Sequence, residues 1–546
     1  MSTSQRWGTR IGLVLAVAGN AVGLGNFLRF PAQAAQNGGG AFLIPYLVSF
    51  LLMGLPLLWV EWAIGRHGGQ FGHHSAPGLL DRMGKGRWLK YLGVFGLFTN
   101  LTVAAYYCYI ESWALAYVWH SLVGTFQATS PTEFFPAYLG VHAGSLFAVP
   151  PEALFWFLVT LGLNVWILSR GLAGGIELAA KIGMPLLIGF GIVLAIKGLM
   201  LTPGDPGVVQ SAASGLNFVW QPKLDSLTNP STWLAAAGQV FFTLSVGTGS
   251  IVCYAAYLRR DEDIALNAAS AGWMNEFVEV VLGSAILIPI ATAYLGLAAV
   301  TAATSGGSGF GLGFLTLPTL FNNWGWFAPI AGALWFGLLF FAGITSSLAM
   351  GQPLISFMED EYQVPRKRAA ALFGGLTLLL GFFCVWLYPG GAFDEFDFWS
   401  GTFALVVFAL GEAIIFAWVF GMERGWEEIT RGADMAVPRI FRFVIKYVTP
   451  AFILLVFLGA LIKPAGGDWG AALSGLSSGT GWSFAPDSVI GKVLHTGVDD
   501  YRWFDEAGRA TPELVKDITR TLLLALFAAC TWVIWYTWRR RERKSS

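Results

Sequence analysis

Charge is what this sequence has least of. Only 12% of its 546 residues are Asp, Glu, Lys or Arg, and 33 acidic residues cancel 33 basic ones. An average soluble domain is about 25% charged. A single buried core stops growing at roughly 250–300 residues, so a soluble chain this long would need several domains and a large charged surface. That surface is missing: 55% of the residues are hydrophobic and the mean hydropathy is +0.60. Disorder is excluded by the same apolarity. With no basic excess, nothing points to a nucleic-acid partner. Cysteine is scarce as well. Cys108, Cys253, Cys384 and Cys530 lie far apart in apolar runs, which is neither a disulfide framework nor a metal cluster. No Gly-x-x-x-x-Gly-Lys-Ser/Thr run is present. All six histidines fall in loops or at the ends of apolar runs; the pair His73–His74 could bind a metal, against the commoner reading of a surface pair.

What the chain does have is long apolar runs. A helix crossing a bilayer needs about 20 residues. Twelve spans are expected, near 11–35, 41–64, 89–123, 152–169, 176–198, 233–256, 263–299, 325–357, 367–386, 396–420, 437–463 and 517–538. Basic residues crowd at alternate ends of these spans, at Arg66 to Lys90, Arg259–Arg260, Arg366 to Arg368, Arg424 to Lys446 and Arg539 to Lys544. No Lys or Arg occurs from Tyr91 to Ser169, from Asp261 to Pro365 or from Ala369 to Glu423. The clusters mark the cytoplasmic side and place both termini there. The start, Met1 to Arg10, is polar, and the apolar run after it is too long and irregular for a cleavable signal. The expected organisation is a cytoplasmic segment 1–10, a core of spans 1–10 over 11–420, and spans 11 and 12 over 421–546. The last part carries a Gly/Ser-rich extracellular loop near 464–516, which reads as an elaboration, and a basic cytoplasmic tail.

Two spans are poor helices in their middles. The first reads Gly19-Asn20-Ala21-Val22-Gly23-Leu24-Gly25-Asn26, and the sixth reads Phe242-Thr243-Leu244-Ser245-Val246-Gly247-Thr248-Gly249. Unwound backbone at membrane depth is tolerated only beside protein or a cavity. Gly-interrupted spans at matching positions of two halves point to an inverted-repeat transporter with a midplane site. The repeats would cover about 11–198 and 233–420. Half-helix N-termini suit a carboxylate, and half-helix C-termini with free carbonyls suit a small cation.

These stretches carry a resemblance. Arg6-Trp7-Gly8-Thr9-Arg10, the run Ala18 to Pro31, Asn37-Gly38-Gly39-Gly40-Ala41-Phe42, Tyr106-Tyr107, Gln239 to Ser245, Asn275-Glu276, Ala342 to Ser347 and Asp394 to Trp399 together resemble the neurotransmitter:sodium symporter family. The nearest branch is the bacterial amino-acid transporters typified by the leucine transporter, and the match runs from about Trp7 to Tyr447. The broken-helix rule takes that transporter as its own example. The resemblance implies an all-α membrane fold of about twelve helices, in a 5+5 inverted repeat with helices 1 and 6 broken.

It also implies a substrate site flanked by two sodium ions. One ion would be held by the Ala21 carbonyl, Asn26, Thr243, Asn275 and the substrate carboxylate. The other would be held by the carbonyls of Gly19, Val22 and Ala342 and the hydroxyls of Thr345 and Ser346. Neutral hard oxygens suit a hard monovalent cation. The substrate's charged ends would meet backbone around Asn20, Ala21, Gly23, Leu24, Gly25, Phe242 and Thr243, with the hydroxyls of Tyr107 and Ser245. Its side chain would lie among Val103, Tyr107, Phe242, Ser245, Thr248, Ser346 and Met350. Thr248 and Met350 stand where the leucine transporter has phenylalanine and isoleucine. The expected substrate is therefore a hydrophobic L-amino acid of at least leucine size, aromatic ones included.

Glu279 lies one turn after Asn275, so both face the first sodium site. Chloride-dependent relatives carry serine at this position. The fixed carboxylate implies chloride-independent transport, with Tyr46, Gln239 and Thr243 around it, and raises exchange of sodium for a proton. Glu61, Glu111 and Glu412 read as structural acids hydrogen-bonded inside the bundle. An outer gate would pair Arg29 with Asp397 over Phe242 and Tyr107. The family's inner-gate arginine is replaced by Ser4, and Ala256 replaces a serine, whereas Trp7, Tyr257, Gln352 and Asp360 persist. Arg6 is the candidate substitute; an ordinary positive-inside residue is the plain alternative.

The expectation is a sodium-coupled symporter working by alternating access, with spans 1, 2, 6 and 7 rocking against a scaffold, and not an enzyme. It would sit in the inner (plasma) membrane with lipid, sodium and a small amino acid as partners, as a monomer or homodimer. Two alternatives stay open: a sodium-dependent amino-acid sensor that does not transport, and a symporter for another small zwitterion.

Overall fold

The computed structural model describes residues 6–141, 149–304, 309–479, 481–495 and 510–545. Among these the chain is helical, with ten helices long and apolar enough to cross a membrane. Two further spans are interrupted, and together they make twelve. Span 1 runs Arg10–Ala21 and resumes as Leu24–Phe27 and Arg29–Gln36. Span 6 runs Pro230–Leu244 and resumes as Ser250–Ala255. The unbroken spans are Gly40–Gly69 (2), Leu89–Leu122 (3), Pro151–Ser169 (4), Leu172–Leu199 (5) and Ile264–Leu295 (7). They continue with Ala328–Tyr362 (8), Arg366–Trp386 (9), Ala392–Thr430 (10, turning at Gly421), Ile440–Ile462 (11) and Pro512–Arg543 (12). Span 7 ends earlier than its apolar run, because Gly296 at φ +80° turns the chain.

Burial ranks the spans. The apolar windows of spans 3 and 7 are 94% and 89% buried, whereas those of spans 11 and 12 are 22% and 17% buried. Spans 3 and 7 are thus the interior, and 11 and 12 present most of their surface to lipid. The most extensive helix contact joins spans 3 and 8. That seam stands beside the breaks of spans 1 and 6, where Tyr107 of span 3 and Ser346 of span 8 both reach the unwound part of span 1.

The break in span 6 is a backbone device. Ser245 sits at φ +54°, and Gly247 and Gly249 at +76° and +86°, in the left-handed region that a side chain disfavours. Glu61 of span 2 accepts the freed Gly247 N–H, and Asn100 of span 3 donates to the Thr248 carbonyl, both at 2.5 Å. Glu111 has the expected partner, Asn164 Nδ2 at 3.1 Å. Glu412 does not: it is fully buried and neither carboxyl oxygen has a hydrogen-bond partner among the described residues.

Both termini lie on one face. Trp7 Nε1 donates to the Tyr254 carbonyl, Trp538 Nε1 to Asp81, and Arg541 pairs with Glu361 at 2.6 Å. On the same face Arg66 is buried and ion-paired with Glu428 at 2.8 Å, also donating to the carbonyls of Glu262 and Arg431. The loop near 464–516, part of which falls outside the described residues, is not a free appendage. Lys492 from that loop and Arg520 of span 12 converge on the buried Glu395 of span 10, at 3.8 and 2.7 Å.

Removing one partner of a buried ion pair costs about 3–5 kcal/mol, because the other charge is stranded. Glu428→Ala is expected to lower stability by about 3 kcal/mol or more, and Arg66→Met added to it to recover part of that loss. Thermal unfolding in detergent checks both.

Candidate functional site

The two breaks face each other across a small cavity. Asn20, Ala21, Gly23, Gly25 and Asn26 come from span 1, and Phe242, Thr243, Ser245 and Thr248 from span 6. Val103 and Tyr107 come from span 3, and Ser346 and Met350 from span 8. Three further lining residues, Tyr106, Gly401 and Leu405, escaped the sequence reading. Gly401 and Leu405 sit in a long apolar run of span 10, where nothing in the pattern separates a cavity wall from a lipid face.

Backbone approach is close on one side. A Cβ at Gly25 would stand 2.5 Å from the Phe242 ring, and one at Gly23 would stand 2.6 Å from the Tyr107 hydroxyl. Only glycine lets the backbone of this turn approach so closely. Tyr107 Oη accepts the Leu24 N–H at 3.1 Å. Ser245 Oγ donates to the Asn20 carbonyl at 3.0 Å, tying the two breaks together. Asn20 Nδ2 donates to Ser250 Oγ at 3.0 Å, whereas its Oδ1 is buried with no partner among the described residues. Thr248 Oγ1 is taken up by the Ser245 carbonyl and Ser250, so its methyl group is what remains for the cavity.

Two clusters of neutral oxygens flank the cavity. In one, Asn26 Oδ1 accepts from Gly23 N–H at 2.8 Å and Asn26 Nδ2 donates to Asn275 Oδ1 at 2.8 Å, with Thr243 Oγ1 3.3 Å from the same oxygen. Ala21 lines the cavity beside them. In the other, Ser346 Oγ reaches the carbonyls of Gly19, Asn20 and Ala342 at 3.3, 3.1 and 3.2 Å, and Thr345 Oγ1 reaches that of Ala342 at 3.3 Å. Val22 follows directly, at the end of the first half of span 1. Both hydroxyls also make the ordinary bonds of membrane-helix Ser and Thr back to their own helix. The donor chemistry fits a hard monovalent cation, which would take the oxygen lone pairs these hydroxyls now share. Among the described residues no cluster of His, Cys, Asp and Glu suits a transition metal.

Glu279 is fully buried beside the first cluster. It accepts from Tyr46 Oη at 2.8 Å, Gln239 Nε2 at 2.5 Å, Asn275 Nδ2 at 3.3 Å, Asn26 Nδ2 at 3.5 Å and the Thr243 hydroxyl. Tyr46 also reaches Glu276, a second buried acid, at 3.0 Å. A carboxylate with five donors is well held in a place where a bare charge would be costly.

The two gates differ from expectation. Among the described residues no ion pair joins Arg29 to Asp397. The Arg29 guanidinium lies over the Phe242 ring, 4.4 Å from its centre, and Asp397 Oδ1 accepts from Tyr106 Oη at 2.7 Å. Each group has found another partner: the π-face attracts the cation, and the hydroxyl satisfies the carboxylate. On the face with the termini, Ser4 lies outside the described residues and Arg6 is exposed, with no hydrogen bond or ion pair among the described residues. Asp360 is held instead by His74, at 3.1 Å. Trp7 packs edge-on against Tyr254, and Gln352 donates to Tyr257 Oη at 3.1 Å. Gly8 N–H and the Thr9 hydroxyl donate to the buried Glu177 of span 5, fixing the N-terminal segment where Arg6 cannot.

Known proteins resemble this chain in sequence and in fold. The family described as the sodium:neurotransmitter symporter family matches residues 4–137 and 127–491. An uncharacterized sodium-dependent transporter of Methanocaldococcus jannaschii is 30% identical over 462 residues, covering 84% of this chain and 90% of that one. A sodium-dependent nutrient amino acid transporter of Drosophila grimshawi is 23% identical over 561 residues, covering 93% and 87%. Among solved structures, that of MhsT in complex with L-phenylalanine aligns with TM-score 0.71 at 29% identity, over 83% of this chain and 99% of that one.

Replacing Glu279 by leucine would strand the donors around it. Each buried unpaired donor costs about 1–3 kcal/mol. Glu279→Leu is therefore expected to destabilise the protein by about 3 kcal/mol or more, and Glu279→Gln, which keeps an acceptor, by less. Thermal unfolding of the two variants side by side checks the order.

Proposed function

This chain belongs to the sodium:neurotransmitter symporter family, a family of multi-pass, sodium-coupled membrane transporters and not of enzymes, and from that premise we propose that it carries hydrophobic L-amino acids, aromatic ones included, into the cell together with two sodium ions and without chloride. The observation that carries this reading is the cavity between the two broken helices, with the glycine-bearing backbone turn of span 1 on one side and neutral oxygens on two others.

The assignments follow from chemistry. The N–H groups at the turn Gly23–Gly25 and the Tyr107 hydroxyl receive the substrate carboxylate, and carbonyls at the C-terminal end of the first half of span 6 with Ser245 receive the ammonium group. Asn26, Thr243, Asn275 and the Ala21 carbonyl take one sodium; Gly19, Val22, Ala342, Thr345 and Ser346 take the other. Among the described residues no cationic side chain lines the cavity. The first sodium therefore neutralises the substrate carboxylate, and each ligand raises the other's affinity by the same factor. Glu279 supplies the fixed negative charge that lets the ion pair sit in a dry site. The size of the side-chain region follows from Thr248 and Met350, one short and one adaptable. That the relative MhsT was crystallised with L-phenylalanine supports a substrate of this class.

Two sodium ions with a net-neutral zwitterion move two charges. At 100 mV that is worth about 4–5 kcal/mol, before the sodium gradient is added. The membrane is the plasma membrane, with both termini cytoplasmic, as the placement of basic residues supports. The protein works by alternating access. That no ion pair joins Arg29 to Asp397 among the described residues, while His74 and Asp360 are 3.1 Å apart, supports a state latched on the cytoplasmic side.

Uptake into proteoliposomes tests the reading. A sodium gradient is expected to drive accumulation of phenylalanine and leucine, unchanged when chloride is replaced by gluconate; a preference for glycine or alanine would overturn the substrate class. Sodium-dependent binding with no uptake would favour a sensor. Glu279→Ser is expected to make uptake chloride-dependent. Thr248→Phe is expected to exclude aromatic substrates more than leucine, read as the ratio of their half-saturation concentrations.

A further inference from the structure

One acceptor at the wall of the cavity is left over. Asn20 is 1% exposed and lines the cavity, and its Oδ1 has no hydrogen-bond partner among the described residues. The rest of the residue is engaged. Its carbonyl accepts from Ser245 Oγ at 3.0 Å and from Ser346 Oγ at 3.1 Å, and its Nδ2 donates to Ser250 Oγ at 3.0 Å. A buried acceptor without a donor is costly, and the cavity is where a donor can come from.

The hydroxyls beside Asn20 decide which end of its amide is free. Thr248 Oγ1 carries one proton, and that proton goes to the Ser245 carbonyl at 2.8 Å. In the 2.7 Å contact between Thr248 Oγ1 and Ser250 Oγ the donor is therefore Ser250. With its own proton committed, Ser250 Oγ only accepts from Asn20, which turns its NH2 group to it and leaves Oδ1 unpaired. The reverse order, Thr248 to Ser250 to Asn20, would take this donor away from the Ser245 carbonyl at the break in span 6. The backbone under the relay is itself held, because Asn100 Nδ2 donates to the Thr248 carbonyl. The hydroxyl of Thr248 thus sets the orientation of an amide on another span.

We propose that Asn20 Oδ1 is a specificity-determining acceptor for the substrate's side chain, and that this chain binds best those aromatic amino acids whose ring carries a donor, the indole N–H of tryptophan or the phenol O–H of tyrosine. This rests on the transport reading above and narrows its substrate class. The amide stands toward the side-chain end of the cavity, because Ser250 joins it to Thr248. The ammonium group falls instead to the carbonyls at the end of the first half of span 6, and the carboxylate to the turn Gly23–Gly25. Phenylalanine and leucine cover the apolar walls of Val103, Phe242 and Met350 but leave the oxygen unpaired. A ring with a donor covers the same walls and pairs it. A site that hydrogen-bonds a substrate N–H or O–H discriminates against the analogue that lacks it, because its own polar group is then stranded.

Two ligand pairs test this on the purified full-length protein in saturating sodium: tryptophan with 3-benzothienylalanine, and tyrosine with 4-fluorophenylalanine. The second member of each pair keeps the size and lacks the donor. Leucine is measured alongside. In at least one pair the donor-bearing member is expected to have a Kd roughly ten-fold lower than its partner. Asn20→Leu should abolish that difference while leucine still binds. Thr248→Val should abolish it too, since it frees the Ser250 proton for the Asn20 oxygen. Equal affinities within both pairs would overturn the proposal, and so would a difference that survives Asn20→Leu. Equal weakening of every ligand by Asn20→Leu, leucine included, would overturn it as well, by giving the oxygen to the ammonium group. The comparison within each pair needs no variant, so it decides even where Asn20→Leu folds poorly. Absence of sodium-dependent binding by all of these ligands would fall on the transport reading and take the proposal with it, whereas binding without discrimination overturns the proposal alone.

Discussion

Backbone that leaves a helix inside a bilayer has no water to satisfy it, and everything at the centre of this protein answers that constraint. The breaks in spans 1 and 6 free N–H and carbonyl groups where lipid can offer no partner. Side chains of the surrounding spans take some of them: Glu61 the N–H of Gly247, Asn100 the carbonyl of Thr248, Tyr107 the N–H of Leu24, Ser346 the carbonyls of Gly19 and Asn20. The groups left over line the cavity, and they are the ligands we propose. Spans 3 and 8 are buried and long because they carry the satisfying side chains, and spans 11 and 12 can face lipid because they carry none of them.

The same constraint accounts for the sparse charge. A cation site of the kind we propose, made from carbonyls, amides and hydroxyls, needs no permanent charge when empty, and the acid beside it, Glu279, is surrounded by donors. Charge is instead spent at the ends, where it costs little. It anchors loops there, as Arg66 with Glu428 and Arg520 with Glu395 do, and it marks which side is which.

Much of this could be read from the residues alone, for physical reasons. Spans were legible because bilayer thickness fixes the length of an apolar run. The breaks were legible because Gly and Asn have no use in a lipid-facing helix interior, and the Asn275–Glu279 face because helical spacing fixes it. Other features depend on how distant segments meet. Gly401 and Leu405 look like any residues of an apolar helix until span 10 is seen to wall the cavity. His74 looked like a loop histidine because its meeting with Asp360 depends on how the loop after span 2 packs on the end of span 8. The expected pair of Arg29 with Asp397 supposed a closed outer side. Among the described residues that pair is not formed, and each partner is occupied by a neighbouring aromatic residue. Glu412 was expected to be hydrogen-bonded, and neither of its carboxyl oxygens has a partner among the described residues.

The central claim is that sodium and a hydrophobic amino acid bind together at the junction of the two broken helices, each making the site for the other. The most direct test is the Kd for L-phenylalanine, measured by isothermal calorimetry on purified protein across a series of sodium concentrations balanced with choline. The account expects affinity to rise tenfold or more as sodium is raised, with sodium affinity rising by the same factor when phenylalanine is present. A phenylalanine affinity that does not change with sodium would contradict it.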